Sequence, residues 1–165
     1  MRNFGALYRA GVVERFHTMP THQRQTIADH SWGVIMIVLA IVDEPSVNLI
    51  KAAATHDLAE SVTGDLPATV KWDEPQLRRE LEMLEQKFAI KHNIFAHLDK
   101  LEEEVLRWAD MAELVMFCEG EIRLGNQNLS VVWRRGILRL EQMGFPTDKA
   151  EGFYNDHINP DDYAF

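Results

Sequence analysis

His56-Asp57 is the one place in this chain where a histidine is followed directly by an aspartate, and Glu60 stands one helical turn further on. The pair closes an apolar, alanine-rich run from Leu49 to Thr55. On a helix, positions 56 and 60 share a stripe with 57 beside them, so an imidazole and two carboxylates would point into one cavity. Mixed imidazole and carboxylate donors suit first-row divalent ions such as Zn, Mn, Fe, Co or Ni, whereas carboxylates alone suit Mg or Ca. More ligands must come from elsewhere. His30 opens the preceding apolar run, and Asp110 interrupts the hydrophobic face around Trp108, Met111 and Leu114. Each residue has an ordinary reading. His30 suits a helix cap or a surface position, Asp110 an ion pair with Arg107, and His56, Asp57 and Glu60 a solvated helix end. For a buried carboxylate such as Asp110, however, pairing is close to obligatory. Those ordinary readings would all have to hold at once.

The elements that must position these groups read as helices. Apolar residues recur at spacings of three and four through most of the chain, and alternating strand-like stretches are nearly absent. The pattern predicts an all-α bundle of about six helices. A short one covers about Asn3 to Val12, an irregular stretch follows over Glu14 to Thr26, and a second helix covers about Asp29 to Val42. A third starts near Pro45 with Ser46 as cap and continues through Ala52, His56 and Glu60, after which TGDLPATVKW reads as a loop. A fourth runs from Asp73-Glu74-Pro75 to about Lys91 with Leu77, Leu81, Leu84 and Phe88 as its apolar stripe. A fifth runs from about Leu98 to Cys118 or Arg123 and carries Leu101, Val105, Trp108, Ala112 and Val115, with Gly125 and Asn126 as the turn after it. A sixth runs from about Leu129 to Met143, before a tail rich in Gly, Pro, Asp and aromatics.

The 165 residues suffice for one core and suggest one domain over 1–165, its motifs between about 14 and 119 and a C-terminal helix and tail over 129–165. Seventeen basic against twenty-six acidic residues leave a charge of −9, which argues against nucleic acid polymers and anionic membranes as partners. A small anionic substrate then needs a local positive site, from a metal ion or placed Arg and Lys. Cys118 is the only cysteine, so no disulfide scaffold or cysteine-rich zinc site fits, and a reducing compartment, the cytoplasm, is expected. The longest apolar run, Gly33 to Val42, is about half the roughly 20 residues that span a bilayer.

Three stretches make the chain resemble the HD-domain phosphohydrolases, and among them the small 5'-deoxynucleotidases and short viral dATP triphosphohydrolases: Ala28-Asp29-His30-Ser31-Trp32-Gly33, His56-Asp57-Leu58-Ala59-Glu60, and Thr63-Gly64-Asp65-Leu66-Pro67 with Lys71. The likeness spans about Glu14 to Glu119. It implies an HD-type helical fold, His30, His56, Asp57 and Asp110 as metal ligands, Glu60 as acid/base residue and Asp65 as a contact to the sugar. It implies a divalent transition metal, Co, Zn or Mn, with Mg as an additional ion, and a homo-oligomer, dimer or larger. Arg15 with Phe16 stands where the deoxynucleotidases have Arg-Trp, and Asp29 stands where Glu is common.

The expected reaction is hydrolysis of a 2'-deoxynucleotide at the phosphorus next to the sugar, with a lean towards dATP. Arg15 and Lys71 would clamp phosphate oxygens, and Phe16, Thr18 and Trp32 are candidates for the base pocket. Against these stand surface charge for Arg15 and Lys71, core packing for Phe16 and Trp32, and a simple helix-ending turn for 63–67. Restriction to monophosphates is an alternative. So is a phosphodiesterase, disfavoured because no His follows the His-Asp pair until His92, and so is an inert nucleotide-binding module.

Overall fold

The computed structural model describes residues 4–94 and 96–158. Its helices begin where side chains can satisfy the free amides of a first turn. Thr26 and Asp29 form a reciprocal capping box at the start of α2 (Ile27–Ile41), and Asp99 and Glu102 form another at the start of α7 (Lys100–Arg123). Ser46 caps α3 (Val47–Thr55) and Thr147 caps α9 (Asp148–His157). The remaining helices are α1 (Phe4–Ala10), α4 (Glu60–Thr63), α5 (Ala68–Asp73), α6 (Pro75–His92) and α8 (Ser130–Met143).

α7 is the central rod, packed between α2 and α8, with α3 and α9 closing the bundle around α2. Trp108, Ala109, Ala112 and Val115 of α7 meet Val34, Val38 and Ile41 of α2 in the main core. Leu114, Cys118, Leu129 and Val132 form a second cluster beneath the irregular segment 14–26. Gly136 lets α8 lie close on α7, since a Cβ there would stand 2.6 Å from Val115 Cγ2. The all-α expectation agrees with these helices, and no described helix is long and apolar enough to cross a membrane.

The structure corrects the sequence reading in several places. The third helix does not run through to Glu60. Thr55 Oγ1 donates back to the Lys51 carbonyl, and from Thr55 onward i to i+3 bonds tighten the chain into a turn before α4 begins. TGDLPATVKW is not all loop, because α5 forms within it and places Trp72 under the guanidinium groups of Arg135 and Arg139. Of the stripe expected on α6 only Leu81 is buried, and Leu101 of α7 is exposed. The tail contains α9, which folds over the bundle: Phe153 packs edge-on to Trp108, and Tyr154 is buried with its hydroxyl bonded to Glu141. Phe153 and Tyr154 therefore cap the core, while Tyr163 and Phe165 lie outside the described residues.

Candidate metal centre

His30 sits in the first turn of α2, fully buried, and its Nδ1 bonds to Glu113 Oε2 on α7. Its Nε2 faces outward into a cluster of donors. Asp110 Oδ1 is 3.1 Å away, Asp57 Oδ2 3.4 Å and His56 Nε2 3.2 Å. His56 in turn stands 3.5 Å from Asp57 Oδ2 and 3.8 Å from Asp110 Oδ1. The break after Thr55 matters here, because it turns Asp57, and not Glu60, towards the two imidazoles.

These separations can be tested against a bound ion. Donors at about 2.0–2.1 Å from one ion lie about 3.3–3.4 Å apart along a tetrahedral edge and about 2.8–3.0 Å apart along an octahedral one. The distances that join His30 to His56, Asp57 and Asp110, 3.1 to 3.4 Å, and His56 to Asp57, 3.5 Å, lie close to such edges, and the 3.8 Å from His56 to Asp110 is longer. The tautomers agree too. His56 Nδ1 donates to the Ala53 carbonyl at 3.0 Å and His30 Nδ1 to Glu113, so both Nε2 atoms face the same point, where an ion would displace their protons. His30, His56 and Asp110 alone bring their ligand atoms within 4.8 Å of one another, so the group can hold a metal ion.

The charges are strongly coupled. Burial and the Arg15 charge act to neutralise His30, yet hydrogen bonds to Asp110, Asp57 and Glu113 hold its pKa well above the usual imidazole range. Burial works against the Asp110 carboxylate as well, but the bonds to His30 and His56 hold it well below its ordinary value. Asp57 is likewise lowered, burial being outweighed by the charge of His56 and the hydrogen bond to His30.

A cavity opens beside the centre, between segment 14–26, the stretch from Asp65 to Trp72, and α7. Asp57 and Asp110 form part of its wall, with Arg15, Phe16, Thr18, Asp65 and Lys71. Arg15 is held near Glu113, 3.5 Å from Nη1, and near Asp65, 3.9 Å from Nε, and that Nε has no hydrogen-bond partner among the described residues. Burial acts to discharge the guanidinium, but Asp57, Glu113, Asp110 and Asp65 raise its pKa further. Phe16 adopts a left-handed backbone, φ 55°, stacks on Phe117 at 4.9 Å and donates its N–H to Asp65 at 3.3 Å. A phenylalanine there is strained, and such strain gathers at working sites.

Glu60 is 3% exposed and lies behind the cavity wall, with Oε1 accepting from Lys71 Nζ at 2.7 Å and Oε2 unpartnered among the described residues. Burial and the Asp57 charge push its carboxyl up to about 8, against the pull of Lys71. Burial opposes the Lys71 charge, but Glu60 and Asp57 raise its pKa. Trp32 is set apart from the other candidates: it is 64% exposed and borders neither this cavity nor the second one on the far side of the centre. Arg107 does not pair with Asp110, since its Nε donates to the Glu103 carbonyl.

Sequence reasoning missed Glu113, which joins His30, Gln25 Nε2 at 2.7 Å and Arg15. Its spacing of three from Asp110 was the available signal. It also missed Trp72, which lines both cavities, and Glu121, which accepts the backbone N–H of His22 and Gln23 at 2.7 Å each and so pins the segment bearing Arg15 to Thr18.

Comparison with known proteins agrees with this geometry. A family model described as 5'-deoxynucleotidase YfbR-like matches residues 2–160. The 5'-deoxynucleotidase YfbR of Salmonella typhi is 25% identical over 156 residues, covering 80% of this chain and 78% of the relative. A 5'-deoxynucleotidase of Vibrio atlanticus is 25% identical over 167 residues, covering 87% and 86%. In structure, an HD-domain phosphohydrolase from Listeria innocua superposes with a TM-score of 0.77 at 20% identity, over 98% of this chain and 88% of that one, a likeness of fold. The cyanophage S-2L HD phosphohydrolase DatZ, bound to dA and one catalytic Zn2+ ion, superposes with a TM-score of 0.66 at 27% identity, over 87% of this chain and 83% of that one.

Proposed function

We propose, from the premise that the chain belongs to the YfbR-like 5'-deoxynucleotidase family and is a metal-dependent phosphoester hydrolase, that it cleaves 2'-deoxynucleotides at the α-phosphorus, with dATP as the favoured substrate. The observation that carries this reading is the meeting of two imidazole Nε2 atoms and two carboxylates, from three separate stretches of chain, on the wall of a cavity lined by Arg15 and Lys71. His30, His56, Asp57 and Asp110 would hold the ion. When bound, a divalent ion such as Zn, Co or Mn supplies neutralisation of charge on the phosphoryl group and a lower pKa for the attacking water.

The rest of the chemistry belongs to the chain. Arg15, whose Nε has no hydrogen-bond partner among the described residues, offers its planar fork to phosphate oxygens, and Lys71 offers a point charge from the cavity lining. Glu60 is assigned the proton that must reach the 5' oxygen as the P–O bond breaks. Burial and the Asp57 charge push its carboxyl up to about 8, against the pull of Lys71, whose Nζ donates to Glu60 Oε1 at 2.7 Å and lines the cavity. Water adds its oxygen to phosphorus, and the proton it sheds restores the one Glu60 gives to the departing 5' oxygen, so deoxynucleoside and phosphate, or triphosphate from a dNTP, are the products. Asp65 is assigned the 3'-hydroxyl, and Phe16 with Thr18 the base; the dA seen in DatZ supports adenine. Mg accompanying the substrate phosphates is part of the reading, and so is self-association, for which the exposed Trp32, Met36 and Leu39 along α2 are the supporting feature.

The second reading, a 5'-deoxynucleotidase confined to monophosphates, is favoured by the names of the relatives. One experiment decides. Chelator-stripped protein, with Co, Mn, Zn or Mg restored, is offered dAMP, dATP, other deoxynucleotides and the ribose analogues, and the products are separated by chromatography. Deoxyadenosine with intact triphosphate from dATP is the expected result. Turnover limited to monophosphates selects the second reading, and no product with any metal removes both.

A further inference from the structure

The centre borders a second cavity. Asp57, Lys71, Trp72, Asp110 and Met111 line both spaces, so the wall that carries the carboxylates also divides them. The second cavity runs outward between α6, α7 and α8 and is bordered by Arg78, Arg107 and Arg139. Lys71 and these three arginines share the lining with five carboxylates, Asp57, Glu82, Glu85, Glu104 and Asp110, so what marks the space is a cation that lacks an anion among the described residues.

Arg139 is the cation of interest. Its guanidinium lies over the Trp72 ring, 4.6 Å from the centroid, and Arg135 lies over the same ring at 5.0 Å. Arg135 has its anion, a two-pronged contact with Asp73 at 3.0 and 2.5 Å, and Arg78 has Glu82 at 2.9 Å. Arg139 has no carboxylate within 4.0 Å among the described residues. Burial and then the charges of Arg135 and Arg78 lower its pKa, against the pull of Asp73. Glu82, Glu85 and Glu104 also border the cavity. Of these, Glu82 is taken by Arg78, Glu104 lies 3.7 Å from Lys100, and burial raises the pKa of Glu85 against the pull of Lys71.

We propose that this second cavity, with Arg139 held flat on Trp72, seats the β- and γ-phosphates of a deoxynucleoside triphosphate. The inference rests on the phosphohydrolase reading above and gives it a specificity residue. With the nucleoside in the first cavity and the α-phosphorus at the dividing wall, the distal phosphates would enter the second lined space, where a planar guanidinium fixed by stacking meets them with little further ordering. A monophosphate carries no β- or γ-phosphate to place there.

The test separates the subsite from the chemistry. Arg139→Gln, and Arg139→Met, which keeps the stem over Trp72, are compared with the unaltered protein in two assays. In metal-loaded protein, KM for dATP should rise tenfold or more while kcat/KM for dAMP stays within twofold, which also shows that the variants fold; Arg139→Lys, which keeps the charge but not the stacked planar fork, should recover only part of the loss. By calorimetry without added metal, inorganic tripolyphosphate should bind the unaltered protein at least tenfold more tightly than either variant. Equal tripolyphosphate affinity, or an equal fall in dAMP and dATP turnover, overturns the subsite. Turnover of dAMP without tripolyphosphate binding overturns the subsite and leaves the hydrolase. Arg139-dependent tripolyphosphate binding in a protein that hydrolyses nothing upholds the subsite and overturns the hydrolase.

Discussion

Gly33→Ala changes one hydrogen into a methyl group and should weaken the metal centre without touching any donor. A Cβ at position 33 would stand 2.7 Å from Glu113 Cγ and 3.1 Å from its Oε1. Glu113 has little freedom to retreat, because it is bonded to His30 Nδ1, to Gln25 Nε2 at 2.7 Å and to Arg15 at 3.5 Å. Alanine in a helix interior is worth roughly 0.5–1 kcal/mol over glycine. Overpacking a core by a methyl typically destabilises by about 1–3 kcal/mol, so the variant should fold with a small net loss. The larger effect falls on the ion. Displacing the group that orients a metal-binding histidine costs about 10–100-fold in metal affinity. That factor corresponds to about 1.4–2.7 kcal/mol. Chelator competition with Zn or Mn measures it directly, with a melting curve beside it to register the fold. The mechanism also makes Gly33→Ala redundant once Glu113 is truncated. In a Glu113→Ala background the methyl should change metal affinity by less than twofold. Full affinity in Gly33→Ala, or the same loss in both backgrounds, refutes the account.

Alanine at His56 or Asp57 should abolish both metal retention and turnover, read by elemental analysis and the product assay, and full activity in either variant sinks the site assignment. Glu121→Ala leaves the His22 and Gln23 amides without their acceptor and should cost about 2–4 kcal/mol in denaturant unfolding. Glu121 is also a source of acid sensitivity: burial raises its pKa, but the bonds from Asn126, His22 and Gln23 outweigh that and hold it below 4.5. Its contribution is therefore complete above about pH 4.5 and is lost as pH falls through the lower folded value, so Glu121→Gln should flatten the stability profile in that window. Cys118, buried, with its thiol pushed up to about 12 chiefly by desolvation, should resist thiol reagents in the native protein at pH 8 and react on unfolding. Trp32→Glu should shift a dimer towards monomer in light scattering if α2 forms the contact, and an unchanged mass excludes that face.

His30, His56, Asp57 and Asp110 were legible because each breaks a local rule, a polar group set in an apolar helical run. Arg15, Phe16, Thr18, Asp65 and Lys71 came from resemblance, and the fold does line one cavity with them. Glu113 was not legible, since its burial comes from the close approach of α2 and α7 at Gly33, a pairing that no single helix displays. The helix break after Thr55 escaped for a similar reason. Local pattern favours continuation to Glu60, and the tertiary pull of His30 and Asp110 on the His-Asp pair is what accompanies the turn. α5 was read as loop because Thr, Gly, Asp and Pro precede it, whereas its stability comes from Trp72 beneath two arginines sixty and more positions away. Trp32 was a candidate for the base pocket with core packing as its alternative, and it is exposed, two residues on from His30 and so on another side of α2.

Asp110, Glu113, Phe117 and Glu121 are spaced by three, four and four, so they lie along one stripe of α7. The first borders the cavity at the donor cluster, the second orients His30, the third stacks on Phe16 and the fourth anchors His22 and Gln23. A single helix therefore acts as an alignment rail between the centre and the segment that faces it, over about 16 Å at 1.5 Å per residue. Deleting one residue between 113 and 117 would swing everything downstream by about 100° and uncouple the two, although every donor would still be present. Drift in the sequence of segment 14–26 is tolerable as long as its backbone amides still reach the rail; drift in the register of α7 is not.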